Sequence, residues 1–143
     1  MKRTERRSGC PVSFALETFG DRWSLLVLRD LMFMGKTTYT DFLRSEERIA
    51  TNVLASRLRQ LESAGVLSKH GAGRATSYAL TEKGLALLPV ILDIVDWSVK
   101  YDRNTAADPA FVRRLRKNRK SLIAEIEGRL RRTYGIVSGP RRR

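Results

Sequence analysis

Between Asn52 and Gly84 the chain runs through a helix pattern, a glycine stop and two short β-prone runs in immediate succession, and few architectures accept that order. Leu54, Leu58 and Leu61 recur at i, i+4 and i+7, which predicts a helix from Asn52 to Glu62 with one buried stripe and an otherwise polar surface. Ala64-Gly65 ends it, because glycine tolerates the left-handed conformation that closes a helix. Val66 to Lys69 and Thr76 to Leu80 then read as two strands, joined by His70-Gly71-Ala72-Gly73-Arg74-Ala75, a turn with a cation at its tip.

Upstream the pattern is helical throughout. Pro11 to Phe19 opens with proline in its first turn and sets Val12, Ala15, Leu16 and Phe19 on one side. Gly20-Asp21 breaks and recaps the chain, and Arg22 to Met34 is apolar nearly all round, so it is expected to be the central, most buried helix. Tyr39 to Arg44 predicts a short helix with Phe42 and Leu43 inward and Thr38 as its cap; Ser45 to Arg48 makes a turn that Ile49 pins to the core. Two short helices followed by a basic-tipped hairpin is the order of a winged helix-turn-helix, so the expected class is mainly α with a small β-hairpin.

Eight segments occur in a telling order: Cys10-Pro11-Val12, Ala15-Leu16, Gly20 to Trp23, Leu28-Arg29-Asp30-Leu31, Leu54 to Leu61, Glu62 to Leu67, Tyr78 to Gly84 and Leu88-Pro89-Val90. Together they resemble the HxlR-type transcriptional regulators over roughly Cys10 to Tyr101. The resemblance implies a dimeric winged helix-turn-helix regulator, related in architecture to MarR-type repressors. Ala50 stands where family members usually carry a capping Ser, so Thr51 is the alternative cap, with the helix starting one residue later. The organisation expected is a basic arm over 1–9, the winged domain over 10–101 and a basic helical extension over 102–143.

With the leucine stripe set inward, Asn52, Ser56 and Arg59 face away from the protein and are the candidate base readers. Asn suits adenine and Arg suits guanine through paired hydrogen bonds. Thr51, at the positive end of the helix, suits phosphate, and Thr38 is a further DNA-contact candidate at the entrance to the motif. Arg57 lies at the edge of the stripe and fits either a phosphate contact or a structural ion pair. At the wing, Arg74 is a phosphate or minor-groove candidate, with Lys69 and His70 weaker ones. A lone His lacks the convergent donors that a metal needs, so no metal and no cofactor are expected.

Thr81 caps a helix expected to run from Leu85 to Tyr101 with two apolar faces. Leu85, Leu88, Leu92, Val95 and Val99 form one; Leu87, Val90, Ile91, Ile94 and Trp97 form the other. The second face needs a cover, either the same helix of another subunit, making this a dimerisation helix, or the C-terminal tail in cis. In that tail Asp108-Pro109 signals a helix start, and Phe111, Leu115, Leu122, Ile126 and Leu130 keep helical spacing. Its other sides are basic, suited to the dimer interface, to flanking DNA or to an acidic partner; dimer plus DNA is favoured. Gly135 to Arg143 reads as a disordered basic end.

Net charge is +13, distributed as +3 over residues 1–7, zero over 8–102 and +10 over 103–143. Basic ends add sequence-independent attraction to phosphate, or simply solubility. A composition that is 42 % hydrophobic supports a real core. The longest apolar run, Leu85 to Leu92, falls far short of the ~18 residues a membrane span needs, and no secretory h-region follows the basic start, so a cytoplasmic protein is expected.

Cys10 is the single cysteine. The resemblance implies that a cysteine here can sense oxidants or small electrophiles, and a helix start with Arg6 and Arg7 nearby favours thiolate; the alternative is an inert, buried small hydrophobe. Three classes therefore compete. A sequence-specific regulator bound as a homodimer to double-stranded DNA uses every motif. A non-specific architectural or RNA-binding protein uses only the basic ends and lacks an aromatic platform. An enzyme is disfavoured, since no triad, phosphate loop or metal cluster surrounds Cys10 or His70.

Overall fold

The computed structural model describes residues 7–138, so residues 1–6 of the basic arm and 139–143 of the basic end lie outside the described residues. Contacts divide the chain into two compact units, one up to Ala79 and one from Leu80 onward.

The first unit carries α1 (Pro11–Phe19), α2 (Arg22–Phe33), α3 (Tyr39–Leu43), α4 (Thr51–Ser63) and the antiparallel hairpin of β1 (Leu67–His70) and β2 (Ser77–Leu80), whose last residue opens the second unit. Asp21 caps α2 by accepting from the Ser24 amide at 3.0 Å. Val27, Leu28, Leu31 and Met32 of α2 are buried, as the apolar composition of this helix requires. Phe42 joins them from α3, and Leu54, Leu58 and Leu61 of α4 are all buried. Gly65 closes α4 at φ +75, where its amide donates to Glu62 O and the Val66 amide donates to Leu61 O, a pairing that satisfies the terminal carbonyls. The hairpin gains a third partner where Thr38 bridges Ser77 and the Tyr78 amide donates to Thr37 O at 2.7 Å. Gly71, at φ +79, turns the wing so tightly that a Cβ would strike the Ala75 carbonyl.

One expectation for this unit is corrected. Ala50, extended and without a side-chain cap, holds the cap position of α4, and Thr51 is the first helical residue rather than the cap. Val12 and Leu16, on the apolar side of α1, are more than 60 % exposed.

The second unit comprises α5 (Glu82–Leu85), α6 (Leu88–Tyr101), α7 (Pro109–Lys117) and α8 (Arg119–Tyr134). Thr81 caps α5 as expected, accepting from the Gly84 amide at 3.1 Å. The expected continuous helix from Leu85 to Tyr101 is instead broken at Ala86-Leu87. Pro89 has no amide hydrogen to donate and sits comfortably only in a first turn, so a new helix begins around it. The tail is likewise two helices, not one, parted at Asn118 (φ −131, ψ 45) and packed on α6 and on each other. Val112, Leu115, Leu122, Ile126 and Leu130 supply their buried face. Gly135, at φ +62, closes α8, with the Ile136 amide donating to Arg131 O. Among the described residues no helix is long and apolar enough to cross a membrane.

Candidate nucleic-acid interface

The interface is built on α3, the turn after it, and α4. Thr38 opens α3 with a reciprocal capping box: its hydroxyl accepts from the Asp41 amide, while the Asp41 carboxylate accepts from the Thr37 and Thr38 amides, each at 3.1 Å. Those backbone donors hold the Asp41 carboxyl below its ordinary range. Thr38 is therefore half-buried and already engaged as a cap.

The turn from Ser45 to Ile49 is tied to α2 by an ionic cluster. Arg29 donates from Nε and Nη2 to Asp30 Oδ1 at 3.0 and 2.7 Å and from Nη1 and Nη2 to the two carboxylate oxygens of Glu47. Ser45 Oγ donates to Asp30 Oδ2 at 2.7 Å, and Lys36 Nζ donates to Ser45 Oγ at 2.7 Å. Asp30 is only 2 % exposed, and three donors satisfy its buried carboxylate. Hydrogen bonding to Arg29 pulls the Glu47 carboxyl down to about 2 and raises the guanidinium in turn. Arg48 adopts φ +56 at the bend. The sequence signal for this cluster was a charged Arg29-Asp30 pair inside an otherwise apolar helix; its distant partners, Ser45 and Glu47, carried none.

Helix α4 follows. Tyr39 Oη donates to Thr51 O at 2.9 Å, fixing its first turn. Thr51, Asn52, Ser56 and Arg59 are all exposed, the last three on the side away from the buried leucines and Thr51 at the open end of the helix. Arg57 turns back to the protein. Its Nε lies 3.0 Å from Asp21 Oδ2, within ion-pair range but not aligned as a hydrogen bond, and its Nη1 donates to Gln60 Oε1 at 3.1 Å. Of the two roles open to Arg57, this geometry is that of the structural ion pair, with the side chain still 34 % exposed. Gln60 Nε2 in turn donates to Glu17 O, tying α4 to α1. At the wing Lys69, His70 and Arg74 are exposed, with His70 Nε2 2.8 Å from Ser68 Oγ and Arg74 within the 3-10 turn Gly73–Ala75.

On α6 of the second unit, Val90, Ile94, Trp97 and Tyr101 remain exposed, Trp97 by 66 %, and the Trp97 and Tyr101 rings lie 5.3 Å apart. The tail helices leave this face open. Ile91, expected on it, is instead buried at 6 %, because within α6 it stands three residues from Leu88 and next to Leu92, on the buried side of the helix; Leu87 itself is half-buried at the helix cap. Cys10, expected either as a sensor or as a buried hydrophobe, is exposed just before α1, its amide donating to Ser8 Oγ at 3.2 Å. Among the described residues no cluster of His, Cys, Asp or Glu is arranged to hold a metal.

A helix-turn-helix followed by a two-stranded wing defines the winged helix class of DNA-binding proteins. The profile of the HxlR-like helix-turn-helix family matches residues 18–106, and the chain belongs to that family. It is 35 % identical over 96 residues to the uncharacterised HTH-type transcriptional regulator YdeP of Bacillus subtilis (strain 168), covering 65 % of this chain and 74 % of YdeP. The solved structure of PA1607, a candidate transcription factor, superposes with a TM-score of 0.62 at 36 % identity over 71 % of this chain and 72 % of that one. Quinone-bound YodB from B. subtilis superposes with a TM-score of 0.54 at 28 % identity, covering 64 % and 99 %. The protein is accordingly a helix-turn-helix transcriptional regulator, and its homologues and fold are those of regulators rather than enzymes.

Proposed function

We propose that this regulator binds a palindromic operator as a homodimer, reading bases with α4 and gripping the backbone with the wing. The observation that carries the reading is the division of α4 into a fully buried leucine stripe and an exposed Asn52, Ser56 and Arg59 face, held in place by the Arg29 cluster and Tyr39. Thr51, with the free amides of the first turn, and Thr38 suit phosphate; Lys69, His70 and Arg74 suit the backbone or minor groove beside the wing. The open α6 face of Val90, Ile94 and Trp97, with Leu87 at its edge, is the proposed seam between subunits, since an apolar surface of this kind is stable when a second copy covers it.

Salt titration tests the reading against non-specific nucleic-acid binding. A sequence-specific regulator keeps a preference of at least about 10³-fold for its operator at physiological salt, with half-sites about one helical turn apart. Equal affinity for operator and shuffled duplex at every salt concentration rejects it.

Exposed Cys10 is the proposed sensing residue, a reading supported by its accessibility and by the quinone-bound state of the similar YodB. Cys10→Ser is expected to make operator affinity insensitive to quinone and diamide. A response equal to that of the wild type rejects the sensor.

A further inference from the structure

The second unit carries much of the positive charge, and its acids are already engaged. Arg114 pairs with Glu125 at 2.6 Å, Arg116 with Asp96 at 2.9 Å, Arg119 with Asp93 at 2.9 Å, and Arg131 with both Glu82 and Glu127. Arg113, Lys117 and Lys120 are exposed and make no ion pair among the described residues. Arg113 and Lys117 stand one turn apart on the outer face of α7, about 6 Å along the axis, and Lys120 follows on the first turn of α8. The two α7 cations border an open depression of about 510 Å³ whose rim also includes Phe111, Arg114, Asn118 and one acid, Asp108, which accepts from the Ala110 amide as the cap of α7. This segment lies outside the family match, which ends at residue 106.

We infer that Arg113, Lys117 and Lys120 form a second DNA-contact surface, which engages the phosphate backbone without reading sequence. The chemistry of the surface selects the partner. No large apolar side chain is exposed anywhere on α7 or α8. A protein partner calls for an apolar, aromatic-rich interface core, a membrane for apolar side chains to insert, and single-stranded RNA for several stacking aromatics; this surface offers a single half-buried ring, Phe111, among its cations. Duplex DNA asks only for cations in a polar, wet interface and presents one charge per ~1.7 Å of axis. The inference rests on the reading of the first unit as a DNA binder, which brings the same duplex within reach of the second at high effective concentration.

The test uses the full chain with Arg113→Gln, Lys117→Gln and Lys120→Gln combined, alongside the charge-preserving set Arg113→Lys, Lys117→Arg and Lys120→Arg. Binding to the operator and to a shuffled duplex is followed by fluorescence anisotropy from about 50 to 200 mM salt, the range over which counterion release is read. Each lost phosphate contact lowers the slope of log K against log salt by about 0.9, so the neutral set is expected to lower it by up to about 2.7 per protomer. Operator and shuffled affinities fall by the same factor, and the charge-preserving set keeps the wild-type slope. An unchanged slope in a neutral variant that melts like wild type overturns the inference, as does an equal loss in the charge-preserving set. A wild-type chain that binds no duplex overturns the DNA-binding reading itself.

Discussion

Arg59 and Glu47 show how differently two charged residues of one motif are used. Arg59 has an exposed guanidinium on α4, so Arg59→Ala is expected to leave folding intact while removing about 1–3 kcal/mol of discrimination at one base position. Competition binding against single-base operator variants checks this; uniform weakening on all of them reassigns Arg59 to phosphate. Glu47 acts on the protein. Its carboxyl is depressed in the fold from an ordinary 4.5 to about 2, so its contribution to stability is fully present above pH 4.5 and is lost as pH falls toward 2. Between those limits Glu47→Gln is expected to lose stability less steeply than the wild type in acid melts, and above them the two curves run parallel. The outward set on α4 was legible from residue spacing alone, because one buried stripe fixes where every other side chain points. Arg57 was ambiguous for the same reason: it lies at the stripe's edge, and only the three-dimensional placement of Asp21 reveals its ion-pair partner.

Helices show where periodicity informs and where it misleads. The α4 stripe is buried as its spacing requires, and Leu58→Ala should cost about 2–5 kcal/mol in denaturant melts, through the cavity it leaves. A loss under 1 kcal/mol would mean the stripe is not the core contact described. The winged order, the Thr38 and Thr81 caps and the glycine stop at Gly65 were equally legible, since each depends on a local conformational rule. The breaks at Ala86-Leu87 and at Asn118 were not. Apolar spacing runs through both, and a proline in a new first turn looks in one dimension like a proline tolerated within an old helix. The exposure of Val12 and Leu16 was hidden for a related reason: a hydrophobic face declares what it avoids, water, but not which surface will cover it.

For the whole molecule the unresolved demand is that of the α6 face. Ile94→Asp combined with Trp97→Ala is expected to shift the chain from dimer to monomer in analytical ultracentrifugation and to weaken operator binding, with little change in the buried Leu88 and Leu92 core. A double variant that stays dimeric moves the seam elsewhere. The division along the sequence follows from charge and polarity: a winged domain neutral on average, an exposed apolar face on α6, and a basic pair of helices beyond the family match. All of this depends on α4 and the wing recognising a particular duplex, and selection of bound DNA from a random pool with the full-length chain asks that most directly. The enriched pool should converge on one inverted repeat with half-sites about 10 base pairs apart, and Asn52→Ala with Arg59→Ala should abolish the convergence. A pool that keeps its random composition at physiological salt contradicts sequence-specific recognition by this chain.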